Sequence, residues 1–337
     1  MWKSFLDLLT TCRRPLVVFD FETAGLNGAP PVEFAVLIFS PWEEAENDET
    51  TRRAAASCPP GLTYACVRRL NPGRPIDPGA TRVHRITDED VRKATPYRDR
   101  EIVDFFAGLA AGDESVGPAV WCGHNAAGAD VPWAKLWGYL PDDTLAGLGG
   151  EIDVIDTMRI FRRLARSHPY PIVPDMTTAF PGEESAHVPA FAYGLDAFAS
   201  SLTGAHVALT GKRHDGHGAL ADTCATARSL ARMLELWSVL LPARRADVPP
   251  ATNLAALLAA LDAPPDGEVS WDGWLGERDD GAPGYVWRKG KHRGEPAHRD
   301  AWVTGLPRQP TGIDGQGWCS RHTADILAGL PALTVAR

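Results

Sequence analysis

Residues 16–22, Leu-Val-Val-Phe-Asp-Phe-Glu, constrain this chain more than any other stretch. The run is β-branched and aromatic, bounded by Pro15 and by the turn-like Ala24-Gly25-Leu26-Asn27-Gly28, and its length suits a buried strand. Side chains alternate across a strand, so Asp20 and Glu22 point to one side while Phe19 and Phe21 point to the other. Two carboxylates facing the same way in a buried strand repel. That is costly unless a cation neutralises them or one acid takes up a proton. A strand end with solvated acids is the bland alternative, and a D-x-E pattern alone does not decide between them.

Three further segments follow in order: Gly123-His124-Asn125 leading to Asp130, then Asp156-Thr157, then His217 leading to Asp222. Asp130 precedes Val131-Pro132, where an Asp N-cap is common; the His124-Asn125 pair, at a strand's carboxyl end, is where open α/β sheets place ligands. Asp156-Thr157 falls at a strand-to-helix boundary, with helix capping as the competing role. His217 and Asp222 would sit about 140° apart on a regular helix, so they converge only if His217 precedes the helix on a loop. Gly211, Gly216 and Gly218 favour such a loop. A histidine with a pKa of about 6.5 accepts a proton at neutral pH, and His214 and Asp215 are its rivals there. Four carboxylates and an imidazole are the groups needed to hold two divalent cations, activate a water and stabilise a leaving alkoxide.

The 34 Lys and Arg against 43 Asp and Glu give a net charge of −9, which excludes a protein that coats nucleic acid by bulk electrostatics. An enzyme gripping a chain end remains compatible, because bound metals supply local positive charge. No run approaches the roughly 20 apolar residues of a membrane span, and no secretory signal is read at the start. A cytoplasmic protein without a membrane partner is expected. The six cysteines are scattered without a C-x-x-C pair and are expected to be mostly buried small hydrophobes.

A second strand is expected at 32–39 and a third, antiparallel to it, at 64–70, with 41–60 as a long loop or hairpin tip. Thr87 with Asp90 forms a helix start, 102–111 continues helically, 119–122 is a fourth strand, and 130–140 is a helix tolerating Pro132 in its first turn. Helices are also expected at 155–165, 219–241 and 253–261, and 167–189 as a loop near the site. This alternation favours an α/β fold, a mixed sheet with helices on both faces. The division reads as a main domain over 1–241, a linker with a short helix over 242–268, and a small module of unknown role over 269–337. That module carries five of the eleven tryptophans beside the basic run 288–293, a pattern shared by single-strand platforms and by small cores with a charged loop. Its Gly-Lys-His-Arg-Gly-Glu-Pro stretch at 290–296 is similar to the G-K-x-x-G element of a small module appended to some bacterial exonuclease-like proteins.

Over residues 16–236 the chain resembles the DEDDh branch of the 3′-to-5′ exonucleases, the DnaQ-like superfamily. The motifs are Phe19-Asp20-Phe21-Glu22-Thr23-Ala24-Gly25-Leu26, Asn71-Pro72-Gly73 with Val83-His84-Arg85-Ile86-Thr87, Gly123-His124-Asn125-Ala126 with Asp130, Asp156-Thr157, and His217-Gly-Ala-Leu-Ala-Asp222. Arg85 replaces the usual glycine, and Asp130 stands one residue further from Asn125 than in many members. The resemblance implies a ribonuclease H-like fold and hydrolysis at 3′ ends of single-stranded or frayed DNA, the favoured substrate, or RNA, releasing nucleoside 5′-monophosphates. It further implies that Asp20, Glu22 and Asp222 hold one Mg²⁺ or Mn²⁺, that Asp20, with Asp130 acting through water, holds a second, and that His217 is the general base. Thr23, Leu26, Val83, His84 and Asn125 would contact substrate. A polymerase or a second copy of the chain is a partner within its range. A non-catalytic nucleic-acid or partner-binding protein keeping the fold is the alternative; a decayed acid set would favour it, and here the set is complete.

Overall fold

The computed structural model describes residues 2–26, 28–112, 117–141, 152–167, 202, 205–206, 209, 218–240, 253–262, 275–277 and 285–287. They fall into two compact units, Met1–Leu261 and Asp262–Arg337.

The first unit is a six-stranded mixed sheet in the order β4-β3-β2-β1-β5-β6. Its centre is β1 (Leu16–Thr23), antiparallel to β2 (Pro31–Phe39) and parallel to β5 (Val120–Gly123). Antiparallel to β2 lies β3 (Leu62–Asn71), with the two-residue β4 (Thr95–Pro96) at that edge; β6 (Val154–Asp156) closes the other edge, parallel to β5. The expected mixed α/β sheet of ribonuclease H type is the fold observed. Phe19 and Phe21 are buried, while Asp20 and Glu22 on the opposite face are only half-buried. The phenylalanines anchor an aromatic core with Phe34, Phe106, Trp121, Trp137 and Tyr139, in which Phe106 stacks on Tyr139 and Phe19 meets Trp121 edge to face. Fully burying one such side chain is worth roughly 1.5–3 kcal/mol, so β1 is fixed from behind by the face opposite its acids.

The helices are α1 (Lys3–Cys12), α2 (Glu49–Ala55), α3 (Pro78–His84), α4 (Asp88–Val91), α5 (Arg100–Ala111), α6 (Asp130–Trp137), α7 (Thr157–Ser167), α8 (Ala219–Leu240) and α9 (Leu254–Asp262). Thr87 and Asp90 form a reciprocal capping box on α4. Three local expectations are corrected. Residues 41–60 contain α2, started by the Asp48 carboxylate accepting from the Thr50 and Thr51 N–H groups. Ile155 and Asp156 lie in β6 rather than in a helix, because both pair with β5. Of the described cysteines, Cys122 and Cys224 are buried, whereas Cys12, Cys58 and Cys66 are half-buried. The segment 168–189 lies outside the described residues.

Of the second unit, the described strands are β7 (Leu275–Glu277) and β8 (Tyr285–Trp287), an antiparallel pair in which Leu275 faces Trp287. The basic run 288–293 lies outside the described residues. Among the described residues no helix is long and apolar enough to cross a membrane.

Candidate active site

Asp20 and Glu22, two apart on β1, meet Asp222 from the first turns of α8, and ligating oxygens of the three carboxylates lie within 4.8 Å of one another. Asp130 lies beside this group. It is not the N-cap of α6, since Ala129 holds that position without a side-chain cap; it is the first helical residue, and its side chain is buried.

The electrostatics follow from burial and like charge. Burial, then Asp130, Asp222, Glu22 and Glu33, push the Asp20 carboxyl well above the usual carboxylate range. Burial and Glu33 raise Glu22 to about 7, and burial with Glu22 and Glu33 raises Asp222 to about 8. Asp130 is raised to about 8 by burial, against nearby backbone N–H groups. Such a group is neutralised either by protons or by cations, and a set of hard oxygen donors within reach of one ion fits Mg²⁺ or Mn²⁺.

Glu33 is an acid whose role sequence reasoning missed. It is 7% exposed on β2, opposite Glu22 on one side and Arg69 of β3 on the other. Its Oε1 accepts from Arg69 Nε at 2.8 Å and its Oε2 from the Ala219 N–H at 3.0 Å. A carboxylate inside an otherwise apolar strand was the available signal.

Asp156 is placed differently. Its Oδ1 accepts from Asn125 N (3.0 Å) and Met158 N (2.9 Å), and its Oδ2 from Ala127 N (3.1 Å). It therefore caps α7 and clamps the turn after β5 at once. That turn holds Asn125 at φ 60°, and His124 Nδ1 contacts Thr157 Oγ1 at 3.0 Å.

The remaining candidates line the turn after β1. Leu26 is 81% and Val83 51% exposed. His84 is buried, and its Nδ1 accepts from Ile86 N, which leaves Nε2 to donate to the Thr23 carbonyl at 3.2 Å. Burial lowers its pKa, so the ring is neutral and serves to pin Thr23. Trp137 Nε1 donates to Gly28 O and fixes the same turn from α6. His217 lies outside the described residues; Gly218, next to it, accepts from the Asp222 N–H.

An exonuclease family model matches residues 17–230. The chain belongs to that exonuclease family, the DnaQ-like nucleases whose motifs it carries. Among solved structures, Escherichia coli Exonuclease I in complex with a dT13 oligonucleotide is 17% identical, with a TM-score of 0.47, covering 73% of this chain and 46% of its own. Exonuclease X in complex with 5′ overhanging duplex DNA is 19% identical, with a TM-score of 0.35, covering 72% and 99% respectively. Exonuclease I from Methylocaldum szegediense is 16% identical, with a TM-score of 0.41 and coverage of 69% and 41%. This chain thus corresponds to less than half of each Exonuclease I. No curated protein matches it.

Proposed function

We propose that the chain is a metal-dependent 3′-to-5′ exonuclease that hydrolyses the terminal phosphodiester of a nucleic-acid 3′ end and releases a nucleoside 5′-monophosphate. The observation that carries the reading is the convergence of Asp20, Glu22 and Asp222 within 4.8 Å, on a buried strand and the start of a helix. Asp20, Glu22 and Asp222 hold one divalent cation, and Asp20 with Asp130 holds the second. The cations, Mg²⁺ or Mn²⁺, supply charge neutralisation for the attacking water and for the leaving 3′ oxygen. His217, two positions ahead of α8 in sequence, takes the proton of the attacking water. Burial and neighbouring acids favour protons on Glu22 and Asp222, and a bound cation would displace them.

Substrate is held at the end of β1. Leu26 and Val83 offer exposed apolar surface to the terminal nucleotide, and His84 keeps the Thr23 backbone in place beside them. Asn125, in the turn after β5 that Asp156 clamps, is the further residue assigned to substrate contact. DNA is the favoured polymer and RNA the alternative, and the module at 269–337 is assigned no part in the chemistry.

The test is digestion of 5′-labelled single-stranded DNA and RNA of one sequence with Mg²⁺, Mn²⁺ or EDTA, comparing wild type with His217→Ala. Metal-dependent shortening from the 3′ end that His217→Ala abolishes is the expected result, and the faster substrate identifies the polymer. Degradation of a 3′-blocked strand as fast as a free one would overturn the reading.

A further inference from the structure

We infer that Glu33, which belongs to none of the motifs above, is the positioning residue that sets Asp222 against Asp20 and Glu22. The inference rests on the nuclease reading, because it assigns Glu33 its role through the cation-binding acids.

A buried carboxylate in an apolar strand is unfavourable unless every lone pair finds a donor. Both oxygens of Glu33 are engaged: Oε1 with Arg69 Nε at 2.8 Å and Oε2 with Ala219 N at 3.0 Å. Glu33 is therefore a holder of structure rather than a fourth member of the ligand group. Arg69 also lies 3.9 Å from Asp90, which ties this pair to the capped start of α4.

The bond to Ala219 is the informative one. Ala219 is the first residue of α8, and its N–H is among the helix-terminal donors that have no partner within the helix. A carboxylate there makes a charge-assisted bond in the favourable field of the helix start. Asp222 follows in the same first turn, and its own N–H is bonded to the Gly218 carbonyl. Glu33 thus fixes the height and rotation of the turn that carries Asp222, from a strand directly paired with the one that carries Asp20 and Glu22. The acids come from residues about 200 positions apart in sequence, and local backbone geometry alone does not bring them together. A tertiary cap from β2 does. Outer residues that orient ligands typically change metal affinity or activity 10- to 100-fold when removed.

The experiment is calorimetric titration of Mn²⁺ into the full chain, with oligonucleotide kinetics in parallel, for wild type, Asp20→Ala, Glu33→Ala, Glu33→Gln and Arg69→Ala. Glu33→Ala is expected to weaken Mn²⁺ binding about 10- to 100-fold. It should lower kcat while leaving KM for the oligonucleotide within about twofold, which separates misplaced acids from a lost substrate contact. Glu33→Gln keeps an oxygen for the Ala219 N–H and should recover part of the loss, ending about fivefold below wild type. Arg69→Ala, which spares the helix bond, should cost least. A folded Glu33→Ala that binds Mn²⁺ like wild type, while Asp20→Ala does not, overturns this inference alone. Wild-type binding by Asp20→Ala sinks the nuclease site and the inference together. Should Glu33→Ala fail to fold, Glu33→Gln decides: Mn²⁺ affinity indistinguishable from wild type overturns the proposal.

Discussion

Asp156 at the end of β6 and the acids at the end of β1 are carboxylates at the ends of two strands flanking β5 in one sheet, yet their surroundings are opposite. Asp156 has three backbone N–H groups directed at its two oxygens. Asp20, Glu22 and Asp222 are instead directed at one another. Burial raises Asp156 too, but the three N–H bonds and Arg159 oppose it, whereas burial and neighbouring acids push Glu22 and Asp222 upward. A carboxylate whose lone pairs are used by the protein's own backbone is part of the scaffold. Carboxylates brought together facing like charges form a site that a cation stabilises.

The sharpest way to break this contrast is to neutralise one member of the acidic group. Asp20→Asn should lower metal-dependent hydrolysis by about 10³-fold, since several kcal/mol of transition-state stabilisation depend on cation placement. Burial and the neighbouring acids disfavour a charge at this position, which the amide lacks, so the melting temperature in EDTA should not fall below that of wild type. Loss of activity together with a fall in melting temperature would place Asp20 in the scaffold class.

The converse change is Asp156→Ala. It leaves buried N–H groups on Asn125, Ala127 and Met158 without their acceptor and uncaps α7, and should cost about 3 kcal/mol, read from urea unfolding. Activity would then fall along with stability. If stability were unchanged while activity vanished, Asp156 would belong with the acidic group.

The two regions were unequally legible in the sequence. The period of two across residues 19–22 was enough to put Asp20 and Glu22 on one face, because the phenylalanines between and before them belong to the core. The Thr87–Asp90 capping box was legible for the same reason: both partners are three residues apart. Glu33 was not legible as a site residue, since its partners are 36 and 186 positions away. Helix α2 was hidden in an acidic stretch between prolines, and what favours it beyond the Asp48 cap is tertiary: buried Thr51 accepts from Ala65 N on β3. Asp130, taken alone, read better as a cap than as a ligand, and only the backbone shows that Ala129 holds that position. For Asp156, the capping role was readable and its clamp on the turn after β5 was not, because that turn comes from a different strand.

Proton linkage offers a third test. Glu22 is raised to about 7 and Asp222 and Asp130 to about 8, all above their unfolded carboxylate values near about 4. The folded chain then binds more protons than the unfolded chain between about pH 4 and pH 8, so their contribution to stability is present at low pH and is lost as pH rises through the folded values. In EDTA the melting temperature should fall over that window, and Mn²⁺ should flatten the fall by taking the protons' place. Mn²⁺ affinity should correspondingly drop about tenfold per pH unit for each proton displaced as pH falls below about 7. Asp20→Asn should show a shallower EDTA profile than wild type; identical profiles would mean that the acidic group does not control the linkage.

The smallest expected effect asks whether backbone strain beside the acidic group belongs with it. Arg85 closes α3 in the left-handed region, at φ 64° and ψ 10°, with its N–H bonded to the Thr81 carbonyl. Glycine adopts that conformation freely, so Arg85→Gly should stabilise the chain by about 0.5–1 kcal/mol, measured as a shift in the urea midpoint. Its side chain is exposed and its neighbour His84 keeps the bond to Thr23, so kcat and KM should stay within about twofold of wild type. A rise in KM with unchanged kcat would instead show that the arginine contacts the substrate strand. In that case the strain is retained for binding, and the functional region extends from the acids on β1 to the end of α3.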